Sequence, residues 1–191
     1  MKSDSFGDYF KRCRNLANLM IFIYLFCGVS FSYYLLNFYM KYIPGNVYIN
    51  TIVASVAESV SHFVTLCILK LLGARNSIIT VNVLYGVATA VLWLAEVNGF
   101  IKEVPFFILL AKFGVVSFFT LMYLGTLVYF PSRYLGTVFG VCNTAARATT
   151  ILAPMVAEID TPVPELCLIS ISVVAVVLSR LLVIPKDMKG I

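Results

Sequence analysis

The stretch Leu16-Ala-Asn-Leu-Met-Ile-Phe-Ile-Tyr-Leu-Phe-Cys-Gly-Val-Ser-Phe-Ser-Tyr-Tyr-Leu-Leu-Asn-Phe-Tyr-Met40 runs for 25 residues without a charged side chain. A bilayer core takes about 20 apolar residues per helix. Lipid offers the backbone no hydrogen-bond partner, so a run of this kind reads as a helix and not as a lone strand. Five more runs follow it: 47–69, 77–95, 104–130, 134–157 and 166–184. Short connections with helix breakers separate them, among them Pro44-Gly45, Gly73, Asn98-Gly99, Pro131 and the pair Pro162 and Pro164. The expected fold is all-α, an integral membrane bundle of six transmembrane helices over residues 16–185. Residues 1–15 form a leading segment and 186–191 a tail.

The whole composition agrees. Of the 191 residues, 61% are hydrophobic and 12% charged, and the mean hydropathy is +0.95. Soluble domains are about 45–50% apolar and about 25% charged. The net charge of +5 has no basic face to gather on, which excludes a nucleic-acid partner. The lipid bilayer is the partner that composition implies. The run from Leu16 is too long for a signal-peptide core and lacks a small-residue cleavage site, so it reads as an uncleaved first span.

Lys and Arg set the orientation. One side of a six-span chain holds Lys2, Lys11, Arg12, Arg14, Lys70, Arg75, Arg133, Arg180, Lys186 and Lys189. The other holds Lys41 and Lys102, with Glu96, Glu103, Glu158, Asp160 and Glu165. Both termini are therefore expected in the cytoplasm, with the plasma membrane as the location.

Catalysis has little foothold. His62 is the single histidine, no G-x-S-x-G accompanies it, and the five cysteines are scattered without metal-binding spacing. No phosphate-binding G-x-x-x-x-G-K-[ST] occurs. The expectation is no enzyme, no cofactor and no metal.

Ionisable groups inside spans are costly and mark interiors or water cavities. Glu58, His62, Lys112 and Arg147 qualify. Glu58 and His62 are four apart and share a helix face, with Thr51, Ser55 and Thr65 near it. That stripe either lines a cavity or fixes helix packing. Arg147 lies near the middle of its span, with Asn143 one turn before. Its guanidinium stays charged and must meet water, an acid such as Glu58, or an anionic ligand. Lys112 lies about 12 Å along its helix from the outer end, where it either snorkels outward or faces the interior. Tyr33, Tyr34, Phe119 and Tyr123 serve as packing or as walls for an aromatic ligand. Gly136, Gly140 and Thr144 form a small-residue stripe that permits close helix packing.

The segment Tyr129-Phe-Pro-Ser-Arg-Tyr-Leu-Gly-Thr-Val-Phe-Gly-Val-Cys-Asn-Thr-Ala-Ala-Arg-Ala-Thr-Thr-Ile-Leu-Ala-Pro154 resembles a signature of the organic cation/anion transporters of the major facilitator superfamily. Pro131, Thr137, Gly140, Thr144, Ala146, Arg147, Ala153 and Pro154 match its pattern in register. Phe31-Ser-Tyr-Tyr34, Gly45-Asn-Val-Tyr-Ile-Asn50, Glu58-Ser-Val-Ser-His62, Leu72-Gly-Ala-Arg-Asn-Ser77 and Lys112-Phe-Gly114 resemble further family blocks, in the same order.

The resemblance covers the C-terminal six-helix half of that fold. It implies transport of small organic ions by alternating access around a midplane site, with an N-terminal six-helix half or a second copy supplying the other side. It places Arg147, Tyr33, Tyr34, His62, Phe119 and Tyr123 on the substrate cavity, with the arginine matching anion-preferring members. Lys70, Ala74, Val128 and Leu135 depart from family positions that form cytoplasmic gate charges. Thr149-Thr150 replaces a Gly-Gly. These departures carry a second expectation, a non-transporting membrane subunit or degenerate half-transporter that binds a partner helix to helix.

Overall fold

The computed structural model describes residues 13–39, 47–99, 104–159 and 162–182. The leading residues 1–12, the tail 186–191, the loop lysines 41 and 102, and the extreme ends of the first and last expected spans lie outside this set. Within it the protein is all-helical. The helices are α1 (Cys13–Tyr39), α2 (Val47–Val97), α3 (Val104–Tyr129), α4 (Leu135–Thr150), α5 (Ala153–Ala157) and α6 (Val163–Leu181), with a 3-10 turn at Ser132–Tyr134. Four of them, α1, α2, α3 and α6, are long and apolar enough to cross a membrane. The expected count of six separate spanning helices is therefore not what the described residues display, and two elements account for the difference.

The second and third expected spans form one continuous element, α2, of 51 residues. It is interrupted at Gly73, whose φ of 74° and ψ of 166° are non-helical. Nothing lies within 4 Å of where a Cβ would sit, so glycine is needed there for its positive φ and not for space. The chain doubles back at this point. Ala54 and Leu92 share a small buried cluster with Ile108 of α3, whereas on a straight helix they would stand about 57 Å apart. The Ser77 hydroxyl braces the turn, 2.7 Å from the Gly73 carbonyl and 3.1 Å from that of Ile68.

The fifth expected span, 134–157, is split. Pro154 has no N–H to give the fourth carbonyl before it, and its ring collides with that carbonyl. The helix ends at Thr150, turns through Ile151 and Leu152, and restarts as the short α5. Sixteen residues of α4 span about 24 Å, short of a core of about 30 Å.

The centre is built by α1 and α3. Phe22, Leu25, Phe26, Val29, Leu35 and Leu36 put one face of α1 into the core. Around α3, Ala111, Val115, Val116, Phe118, Leu121 and Met122 are buried, and both arms of α2 flank it. By contrast Ile52, Val56, Val60 and Phe63 of α2 and Val173, Val174 and Val177 of α6 point outward. Large apolar side chains on the outside suit a lipid surround and not water.

Two glycines set interhelical distance. A Cβ on Gly114 would lie 2.9 Å from the Tyr85 backbone, so α3 and the second arm of α2 touch nearly backbone to backbone. A Cβ on Gly86 would collide with the Ser172 hydroxyl of α6. The stripe read as a packing surface behaves otherwise: Gly136 and Gly140 have nothing within 4 Å of an added Cβ, and Thr144 is exposed. Among the described residues nothing packs closely on the two glycines of that stripe, because α4 turns Val138, Cys142 and Ala146 inward instead.

Gly114→Ala is expected to destabilise the chain by about 1–3 kcal/mol, since the obstructing atoms are backbone. Gly136→Ala and Gly140→Ala are expected to be neutral or stabilising by up to about 1 kcal/mol. Thermal unfolding of the three variants in one mild detergent checks the contrast.

Candidate functional site

Deep in α3, Lys112 is 4% exposed. An ammonium so placed needs a counter-charge, and the first arm of α2 supplies it. Lys112 Nζ lies 2.8 Å from Glu58 Oε1. Lys112 therefore does not snorkel outward; it is turned into the bundle. Pairing with Lys112 also answers what Glu58 does: it bonds neither Arg147 nor the histidine one turn along.

His62 faces α3 instead. Its Nδ1 is 2.7 Å from the Thr120 hydroxyl, and that hydroxyl gives its proton to the Val116 carbonyl at 3.0 Å. The hydroxyl thus bridges the ring and the α3 backbone, and the direction of its bond to Nδ1 follows the imidazole tautomer. The rest of the expected stripe does not continue. Ser55 is exposed and bonds the Thr51 carbonyl, while Thr65 is buried on the Ser61 carbonyl.

A cavity of about 310 Å³ opens between these helices and α4. Tyr33, Tyr34 and Ser30 come from α1, Glu58 and His62 from α2, Val116 and Phe119 from α3, and Asn143 and Arg147 from α4. The rings form a connected wall. Tyr33 lies 6.0 Å from Phe119, Phe119 lies 5.2 Å from Tyr123, and Tyr123 stacks on Phe139 at 5.6 Å. Tyr123 stands behind the lining and donates its hydroxyl to Asn143 Oδ1 at 3.0 Å. Asn143 Nδ2 in turn donates to the Phe139 carbonyl at 2.9 Å. Both polar ends of Asn143 are thereby held.

Arg147 is exposed to the cavity. Its Nη1 donates to the Tyr34 hydroxyl at 2.5 Å, and its guanidinium carbon lies 5.8 Å from the centre of the same ring. Among the described residues no carboxylate pairs with it. Glu58 is spent on Lys112, so the arginine is the uncompensated charge of the lining.

Of the residues singled out from sequence, Arg147, Tyr33, Tyr34, Glu58, His62, Phe119 and Asn143 meet at this cavity. Lys112 and Tyr123 sit one layer behind and hold Glu58 and Asn143. Gly136, Gly140 and Thr144 do not contribute. Ser30 and Val116 line the cavity without having been foreseen. The signal for Ser30 was its place one turn before Tyr33 and Tyr34. For Val116 it was its place between Lys112 and Phe119, one turn from each.

No family model matches the chain. A curated relative does. The chain is similar to a mouse solute carrier. It is 26% identical over 152 residues to solute carrier family 22 member 4 of Mus musculus, covering 75% of this chain. The match spans about a quarter of that relative's length, 26%.

Removing one member of the Glu58–Lys112 pair leaves a buried charge alone. Glu58→Leu and Lys112→Met are each expected to cost about 3–5 kcal/mol, and the double variant to recover most of it. Chemical denaturation of the four proteins in detergent measures the coupling. Equal losses in singles and double would refute a paired role.

Proposed function

We propose that this chain forms the C-terminal half of a transport cavity for small organic anions in the plasma membrane. The observation that carries the reading is Arg147: a guanidinium facing an aromatic-walled cavity, bonded to a tyrosine and to no acid. With Glu58 paired to Lys112, the positive charge of Arg147 is left without an acid beside it in the lining. An aromatic carboxylate fits that chemistry. Its ring stacks on Tyr33 and Phe119, its carboxylate meets Arg147 in a charge-assisted pair, and a polar substituent hydrogen-bonds the His62 ring. The similarity to a solute carrier supports transport as the class of activity.

On this reading the chain crosses the membrane six times. The two arms of α2 each cross, with Gly73 at the cytoplasmic turn, and α4 and α5 together make the fifth crossing. Both termini then share the cytoplasmic side, as the lysine and arginine bias requires. A cavity open on one flank needs an opposing half, from an N-terminal six-helix unit or a second copy, for alternating access. No cofactor and no catalytic step are needed; solute gradients or counter-exchange drive the cycle.

A second reading rests on a separate observation. The Gly136, Gly140 and Thr144 face of α4 is open, and Lys70, Ala74, Val128 and Leu135 stand where gate charges are expected. A membrane subunit that binds a partner helix through this stripe would have both features. Stoichiometric co-purification of an unrelated membrane protein favours it.

The discriminating measurement is binding of a labelled aromatic monocarboxylate to the full chain in vesicles. Arg147→Asp is expected to weaken binding about ten- to a hundredfold, the value of one charged hydrogen bond. Arg147→Lys should retain part of the affinity. Equal binding by wild type and Arg147→Asp would overturn the anion reading.

A further inference from the structure

We propose that the outer groove between the second arm of α2 and α6 is a binding site for an anionic glycerophospholipid. It shares no residue with the aromatic cavity and has more than twice its volume, about 680 Å³. Val83 and Val87 form one wall, Val173 and Val177 the other, and Arg180 closes one end.

The groove is apolar by construction. Gly86 lets Ser172 approach so closely that an added Cβ would strike the serine hydroxyl. That hydroxyl is spent inside the floor, donating to the Asn82 carbonyl at 3.0 Å. What remains open is valine surface: Val83, Val87, Val173 and Val177 are each exposed. The lining runs along α6 from Ile169 to Arg180, about 17 Å of helix. That is close to one leaflet of a hydrocarbon core about 30 Å thick, so an acyl chain lies along it at full length.

The charged end identifies the head group. Arg180 is in the last turn of α6. Arg75, which opens the second arm of α2, donates its guanidinium to the Arg180 carbonyl. Both side chains are exposed, so the Arg180 guanidinium is open at the end of the groove and a second cation, Arg75, is anchored on the backbone of the same turn. A phosphodiester is bound there by bidentate hydrogen bonds. A zwitterionic lipid brings an ammonium to the same place and gains less. An apolar helix from a protein would fill the slot but give the arginines no partner. Charge complementarity therefore selects the phospholipid.

The test is native mass spectrometry of the full chain, released from detergent with equal amounts of phosphatidylglycerol and phosphatidylcholine of the same acyl length. Wild type is expected to retain the anionic lipid preferentially. Arg180→Gln is expected to lower that preference about fivefold, the value of one basic residue at a charged membrane surface, and Arg180→Lys, which keeps the charge but not the bidentate fork, to keep part of it. The Val87→Phe, Val177→Phe double variant fills the groove and should reduce retention of both lipids. Glycerol phosphate without acyl chains should not compete. Should Arg180→Gln fail to fold, raising salt on the wild type replaces it and should erase the preference. An unchanged lipid ratio in Arg180→Gln or at high salt, or a chain dimer that excludes lipid from the groove, would overturn the proposal.

Discussion

One ion pair governs the arrangement. Lys112 is buried at the centre of the bundle, where an isolated ammonium would be too costly to keep. Its contact with Glu58 draws the first arm of α2 against α3 and sets the rotation of both helices. That rotation places His62 on Thr120 and turns Phe119 into the cavity. It also removes Glu58 from the pool of acids available to Arg147. A pair buried this way does not by itself raise stability; here its effect is to fix which charge of the lining stays open.

The aromatic wall is the second consequence. Tyr33, Phe119, Tyr123 and Phe139 pass from the cavity to the core as a chain of ring contacts, and Phe26 joins Tyr123 edge-on at 5.4 Å. The cavity is thus backed by stiff side chains with few rotatable bonds. Ring positions in the lining are inherited from core packing, so a change at Phe26 or Phe139 would reach the cavity without touching it.

Much of this could be read from the amino-acid order. Long uncharged runs specify helices in lipid regardless of finer pattern, and Gly73 was visible as a breaker. The side chains that meet at the cavity were legible because charge and hydrogen-bonding capacity are conspicuous against an apolar background. Rotation about each helix axis was not legible. In water an apolar stripe faces inward, but next to lipid both faces are apolar, so Gly136 and Gly140 gave no sign that they point outward. Lys112 was ambiguous for the same reason: its depth followed from sequence, its direction did not. Pro154 was in plain view, yet an apolar run counted by length conceals a break that only its missing N–H reveals.

That break has an electrostatic effect on the cavity. Because the helix stops at Thr150, Arg147 lies in its last turn, the end of a helix that carries partial negative charge. A cation in the final turn gains about 0.3–1 kcal/mol from the macrodipole. An uninterrupted helix through residue 157 would move that negative end two turns away. Pro154 thus gives the guanidinium a diffuse counter-charge made of backbone, which steadies it while its Nη1 stays on the Tyr34 hydroxyl.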